Sequence, residues 1–202
     1  MNMPMTNHLI VLWKTSRLRL TQWILAHRIR ARHPDMFCDP STIWDYGYAD
    51  IDAIEIGRNV SVRAFAEILV YRVSPRSAVP GKLVLRDGAV ISTGVRIRAA
   101  GGQIEIGKNA AVGQNCVVVA ANHKPAADGR IIDTMWDEVR TGVILGDNVW
   151  VGANCTLLAG CRIGDGAIIA AGSVVRSAVP AGELWGGVPA RRLRNSVTGT
   201  AP

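Results

Sequence analysis

Aliphatic residues recur along this chain with a six-residue period. Ile, Leu or Val recurs at Leu145, Val151, Leu157, Ile163, Ile169 and Val175. The same phase runs through Ile106, Val112 and Val118, through Leu85, Ile91 and Ile97, and through Ile56, Val62 and Ile68. Position two is Gly in six hexads: Gly57, Gly107, Gly113, Gly146, Gly152 and Gly164. Position four is Asn or Gly in ten, at Asn59, Asn109, Asn115, Asn148, Asn154, Gly88, Gly94, Gly160, Gly166 and Gly172. Those two residue types enter positive φ most cheaply, so position four reads as a sharp corner. Position five is small or Val nearly everywhere; Arg72 and Asn122 depart from this. Short strand, corner, short strand is the pattern of a parallel β-helix, with three hexads to a coil. The blocks 56–73, 85–102, 106–123, 145–162 and 163–180 give five coils.

Such a prism has little room for rings, which fits a chain of 202 residues with two Phe and three Tyr. Hydrophobic residues at 49% and charged residues at 19% exclude a disordered tail. No apolar run approaches the roughly 18 residues of a transmembrane helix, and Leu9–Trp13 is too short for a signal peptide. The four cysteines have no CxxC spacing. Free thiols in a reducing cytoplasm are expected, with Cys116, Cys155 and Cys161 as inward fillers at position five and no metal site.

The repeat breaks at 74–84, 103–105 and 124–144. Long insertions at solenoid corners are usually functional. The last break carries Asp128, Asp133, Met135, Trp136, Asp137, Glu138 and Arg140. At its root stands His123, the only histidine of the repeats, preceded by Asn122. An imidazole titrates near working pH and suits proton abstraction from a hydroxyl. Asp137, Glu138 or a backbone carbonyl are the groups able to hold its tautomer.

Several motifs now stand in order: Ala121-Asn122-His123-Lys124, a loop, Gly146-Asp147-Asn148-Val149-Trp150-Val151-Gly152-Ala153, Ile163-Gly164-Asp165-Gly166-Ala167, Ala171-Gly172-Ser173-Val174-Val175 and Gly187-Val188-Pro189-Ala190-Arg191. Over roughly residues 50–195 this order resembles the hexapeptide-repeat acetyltransferases of the maltose/galactoside and polysaccharide O-acetyltransferase kind. The resemblance implies a left-handed β-helix and a homotrimer with active sites between subunits. It implies acetyl-CoA as co-substrate and direct transfer with His123 as general base, which then protonates the departing thiolate. The backbone N–H of Ala153 would stabilise the oxyanion. Trp150 would line the acyl or pantetheine channel, facing His123 of another chain. Pantetheine would lie along Ala171 and Gly172, with Arg176, Arg191 and Arg194 on the phosphates. Asn122, Trp150, Asp137 and Glu138 are expected around the substrate.

The implied function is O-acetylation of a sugar hydroxyl in surface polysaccharide or glycan biosynthesis, in the cytoplasm. Alternatives are N-acetylation of a nucleotide-linked amino sugar, acetylation of an antibiotic, or a non-enzymatic scaffold. Ile91-Ser92-Thr93-Gly94 lacks the acceptor-binding Asn of the small-sugar enzymes, which argues against a simple maltose or galactoside acceptor. A single repeat histidine excludes the hexapeptide-repeat carbonic anhydrases, which need three zinc ligands.

Three segments follow: 1–36, helical and basic; 37–195, the β-helix; and 196–202, a flexible tail. Of the net charge of +7, most lies in 1–36, where six basic residues meet one acid, Asp35. Leu9, Leu12, Trp13, Leu20, Trp23, Ile24 and His27 follow helical spacing, and Pro34 ends the pattern. One reading packs this helix on the first coil or a neighbouring subunit. The other lays residues 9–32 on an anionic membrane at its inner face. Nucleic acid is not expected, since no stacking aromatics accompany charge on the solenoid.

Overall fold

A computed structural model describes the chain over residues 5–46, 50–131 and 135–194, and its side chains over 18–46, 50–131 and 135–193. It is a left-handed parallel β-helix with one N-terminal helix. Three faces run along the prism. The first contains Ile54–Ile56, Lys82–Leu85, Gln103–Ile106, Val143–Leu145 and Arg162–Ile163. The second contains Phe37–Cys38, Ser61–Val62, Val90–Ile91, Ala111–Val112, Trp150–Val151 and Ile168–Ile169. The third contains Ile43–Asp45, Glu67–Tyr71, Arg96–Ala100, Val117–Val119, Thr156–Leu157 and Val174–Val175.

The hexad phase is the strand register. Ile56, Leu85, Ile106, Leu145 and Ile163 pair in one line across the first face. Val62, Ile91, Val112, Val151 and Ile169 do so on the second. Ile68, Ile97, Val118, Leu157 and Val175 do so on the third. All fifteen point inward and are buried except Ile56, which is half-buried. Each such side chain contributes about 2 kcal/mol by leaving water. All ten Asn and Gly corners have positive φ. The position-two glycines serve a different need. A Cβ at Gly107 would lie 2.2 Å from the Gly146 carbonyl oxygen, so the next coil's backbone occupies that space. Cys116, Cys155 and Cys161 are buried fillers, and burial pushes the Cys161 thiol up to about 12.

Two expectations need correction. The breaks are shorter than the hexads implied, because residues 82–84, 103–105 and 143–144 are strand. Leu83, Ile104 and Val143, two residues before position one, are buried as an extra aliphatic layer. The coils also extend past both ends of the five blocks. Cys38 pairs with Val62 and Trp44 with Ile68 below the first coil. Val179 bridges Ile163, and Trp185 pairs with Ile169, above the last. The strand Leu184–Gly187 then turns through a cis Val188–Pro189 bond into Ala190–Arg194, an antiparallel hairpin.

Helix α1 (Met5–Arg32) caps the open first-coil end. Its buried face is Leu25, Ala26 and Ile29, not the stripe of Leu20, Trp23 and His27, which is exposed. Polar residues explain the shift. Gln22 Nε2 donates to the Trp44 carbonyl and Gln22 Oε1 accepts the Trp44 N–H, both at 2.9 Å. Tyr46 Oη donates to the Leu25 carbonyl at 2.9 Å. Gln22 thus supplies the partner that the end strand lacks, and the apolar residues beside it follow it inward. The side chains of Leu9, Leu12 and Trp13 lie outside those described, as does the segment 196–202.

Candidate functional site

The corner between the third and first faces opens where the position-four rule lapses. The hexads starting at Ile68, Ile97 and Val118 carry Tyr71, Ala100 and Ala121 there. With no Asn or Gly to turn the chain, the strands Glu67–Tyr71 and Arg96–Ala100 run on to five residues. The widened face forms one wall of a cavity of about 420 Å³, lined by Leu69, Tyr71, Arg98, Val119, His123 and Trp136 among others.

His123 leaves the solenoid at this corner. It forms an antiparallel bridge with Trp136, closing the root of the excursion. Lys124 N–H donates to the Met135 carbonyl at 3.0 Å, and Asp137 N–H to the Asn122 carbonyl at 2.9 Å. The His123 imidazole is exposed and meets the Trp136 indole edge-on, centroids 6.4 Å apart at 81°. The indole seats against Gly101, where a Cβ would fall 2.3 Å from Cε3. Across the cavity, Tyr71 Oη donates to Asp45 Oδ1 at 2.5 Å. Burial first, then that carboxylate, push the phenol up to about 12. Arg98 reaches Glu67 at 3.3 Å, a carboxylate it shares with Arg96. The result is an apolar recess with an imidazole at its mouth, two aromatic rings and a guanidinium.

Asp137 and Glu138 are used otherwise. Asp137 Oδ1 accepts the Val139 N–H at 2.9 Å, a local turn. Glu138 Oε1 accepts the Ser77 hydroxyl at 2.9 Å and the Ala78 N–H at 2.7 Å, tying this loop to residues 74–80. Those two bonds hold its carboxyl below the usual range. Neither carboxylate is bonded to His123. Asn122 is half-buried beside it.

Ala153 stands at a different corner, between the second and third faces. At the corner between the first and second faces, position-three amides are taken by the next coil. Arg58 N–H donates to Asp87, Lys108 N–H to Asp147 and Asp147 N–H to Asp165, at 2.7–2.8 Å. At the Ala153 corner the equivalent residues are Ala64, Thr93, Gln114, Ala153 and Ala171, with no carboxylate among them. The Ala153 carbonyl accepts from Gly172 N–H at 2.9 Å, but among the described residues nothing accepts the Ala153 N–H. A free, fixed N–H donor is what an oxyanion requires. Trp150 projects from the second face, 57% exposed. Ala171, Gly172 and Arg176 are exposed on the coil above, and Gly172 has open space beside it. Arg191 is exposed on the terminal hairpin, with Nη1 donating to its own residue's neighbour, the Ala190 carbonyl, at 2.9 Å. The Arg194 side chain lies outside those described. One chain therefore places Ala153, Ala171 and Gly172 at one corner, with Trp150 on the face that leads into it, and His123 with its cavity at the next corner, where Arg176 stands on the last coil and its carbonyl accepts from Arg140. Among the described residues no group of three or more His, Cys, Asp or Glu is placed to hold a metal.

Tyr71, Arg98, Leu69 and Asp45 carry no motif. For Tyr71, Leu69 and Arg98 the signal is the lapse of Asn or Gly at position four of the hexads starting at Ile68 and Ile97; Asp45 lies before the first hexad and has none.

Residues 142–177 match the family model of the bacterial transferase hexapeptide, six repeats. YvoF of Bacillus subtilis (strain 168), provisionally named an acetyltransferase, is 38% identical over 90 residues, 44% of this chain and 46% of that protein. The 2,3,4,5-tetrahydropyridine-2,6-dicarboxylate N-acetyltransferase of Staphylococcus aureus is 37% identical over 45% of this chain and 32% of its own length. The chain thus spans less than half the length of these relatives. A Vibrio cholerae hexapeptide-repeat acetyltransferase solved with acetyl coenzyme A is 25% identical, with TM-score 0.57 over 71% of this chain and 70% of that one. AntD, a Bacillus cereus N-acyltransferase solved with dTDP and 3-hydroxybutyryl-CoA, shares the fold at TM-score 0.66 and 21% identity, over 81% of each chain. The chain carries the hexapeptide repeat, and the proteins it resembles are acyltransferases, most of them named acetyltransferases.

Proposed function

We propose that this chain is an acetyl-CoA-dependent O-acetyltransferase acting on a sugar hydroxyl in surface polysaccharide or glycan synthesis in the cytoplasm. The observation that carries the reading is the pairing of an exposed imidazole at a cavity mouth with an unclaimed amide at a solenoid corner. In the proposed reaction the acceptor hydroxyl sits in the recess between His123 and Trp136. His123 takes its proton as the oxygen attacks the thioester carbon. The developing oxyanion is met by the Ala153 N–H. The C–S bond then breaks, and the imidazolium returns the proton to the thiolate of coenzyme A.

The two halves stand on separate corners of one chain, so the reading includes a homotrimer in which His123 of one subunit meets Trp150 and Ala153 of the next. Pantetheine then follows Ala171 and Gly172, and Arg176, Arg191 and Arg194 meet the phosphates. The similarity to the S. aureus N-acetyltransferase supports a second reading, with an amine as acceptor. His123→Ala tests the mechanism. Acetyl-CoA binding by calorimetry stays near wild type, while transfer falls by about a thousandfold. Transfer at the wild-type rate would overturn the proposed base. A screen of sugars, amino sugars and lipid-linked glycans identifies the acceptor.

A further inference from the structure

We propose that the first-coil end of the solenoid docks on the surface of an anionic lipid bilayer. The chain has two phenylalanines, and both are exposed at this end: Phe37 at 51% and Phe65 at 70%. Trp23 at 64%, Leu18 at 65%, Leu20 at 58% and Ile43 at 48% are also exposed there. Leu18, Trp23, Phe37 and Phe65 are linked through intervening residues. A groove of about 370 Å³ between α1 and the first turn brings Leu18, Arg19, Trp23, Arg30 and Pro40 together. The next residue, Ser41, accepts the Phe65 N–H on its Oγ at 2.9 Å. The guanidinium of Arg63, two residues before Phe65, covers the Phe37 ring at 4.9 Å.

Phe65 is the telling residue. It occupies position four of its hexad and turns the corner with φ of 58°. The other positive-φ corners within the five coils are Asn or Gly, apart from the shifted turn at Gly101, which is also glycine. A bulky residue in that region is strained. The ring does not repay the strain by packing inside, since most of it is exposed. A fold that relaxes with Asn there has instead kept an outward-facing phenyl group.

Charge selects the occupant. Residues 1–36 hold six basic residues against one acid, and Arg19, Arg30 and Arg63 stand beside the exposed rings. Apolar rings flanked by guanidinium groups suit the headgroup boundary, rings below and cations at the phosphates. Among the described residues no helix is long and apolar enough to cross a membrane, so the contact is one of surface. The inference does not depend on the acetyltransferase reading, and its test needs no activity.

The test is co-sedimentation of the full chain with vesicles of phosphatidylglycerol and phosphatidylcholine, against phosphatidylcholine alone. Binding to the anionic vesicles, falling as salt rises, is the expected result. Phe65→Asn relieves the corner and raises Tm by about 3 °C. Combined with Trp23→Ser it lowers vesicle partitioning by about tenfold. The melting curve keeps loss of binding distinct from loss of fold. Three results would overturn the proposal: wild-type protein left in the supernatant, equal binding to both vesicle types, or variants that bind as wild type. A fall in oligomer mass by light scattering for the double variant would also overturn it, assigning the patch to contacts between copies.

Discussion

Glu138 accepts the Ser77 hydroxyl at 2.9 Å, and through the same oxygen the Ala78 N–H at 2.7 Å. Two insertions far apart in the chain are thereby stapled together, and Trp136, which lines the cavity, is held by its backbone N–H donating to the Arg76 carbonyl at 2.9 Å. Glu138 is a positioning residue in this reading. Glu138→Ala loosens the loop that carries His123 and Trp136, and turnover falls by about tenfold with little change in acetyl-CoA affinity. Glu138→Gln, which keeps an acceptor oxygen, retains more of it.

The same staple has a pH dependence of known sign. Its hydrogen bonds hold the Glu138 carboxyl below the usual range. The carboxylate therefore contributes its full stabilisation above the ordinary Glu pKa and loses it as pH falls through the lowered value. Proteolysis of the 124–141 loop should accelerate on acidification in the wild-type protein. In Glu138→Ala it should already be fast at neutral pH and change less.

Glycines at different hexad positions predict different costs. In Gly107→Ala the new Cβ meets the Gly146 carbonyl oxygen at 2.2 Å, a backbone that cannot retreat without parting the coils. Gly166→Ala meets nothing within 4 Å and suffers only its φ of 64°. Urea unfolding should show a loss of about 3 kcal/mol for the first and about 1 kcal/mol for the second.

Gln22 joins α1 to the solenoid. Gln22→Ala removes both bonds to the Trp44 backbone and leaves a donor and an acceptor of the end strand without partners. A loss of about 2 kcal/mol is expected, read as a lower Tm and earlier tryptic release of the N-terminal segment. Gln22→Glu keeps the acceptor for the Trp44 N–H but loses the donor, and should fall between the two.

These residues show why some of the structure was legible in the sequence and some was not. Position one of the hexad repeats because each coil must present an aliphatic side chain to the coil above, so Leu145 and Ile163 announce their own pairing. The end coils escape that pattern, because Trp44 and Trp185 cap open ends where a ring fits and a layer of Ile would not. Gln22 escapes it too, since a helix pattern read from apolar residues passes over a polar one that satisfies a strand edge. At the site, His123 was visible as the lone histidine before an insertion. Its companions Tyr71 and Arg98 are brought to it by stacking, from positions four and two of hexads in the coils below. Asp137 and Glu138 looked available beside His123, but their carboxylates are consumed by the turns that build the loop.

The separation of His123 and Ala153 onto two corners yields a decisive mixing experiment. His123→Ala lacks the base but keeps the amide; Ala153→Pro lacks the amide but keeps the base. Ala64→Pro, at the same corner three coils below, controls for the backbone effect of proline and should retain activity. Each variant alone should lose at least about a hundredfold in transfer. Refolded together in equal amounts, they form interfaces at random. About one interface in four then pairs an intact His123 with an intact Ala153, so activity returns to about a quarter of wild type. Recovery of that size requires two subunits to build one site. If the mixture is as inactive as its components, His123 and Ala153 act within a single chain, and the intersubunit reading fails while the roles of the two residues stand.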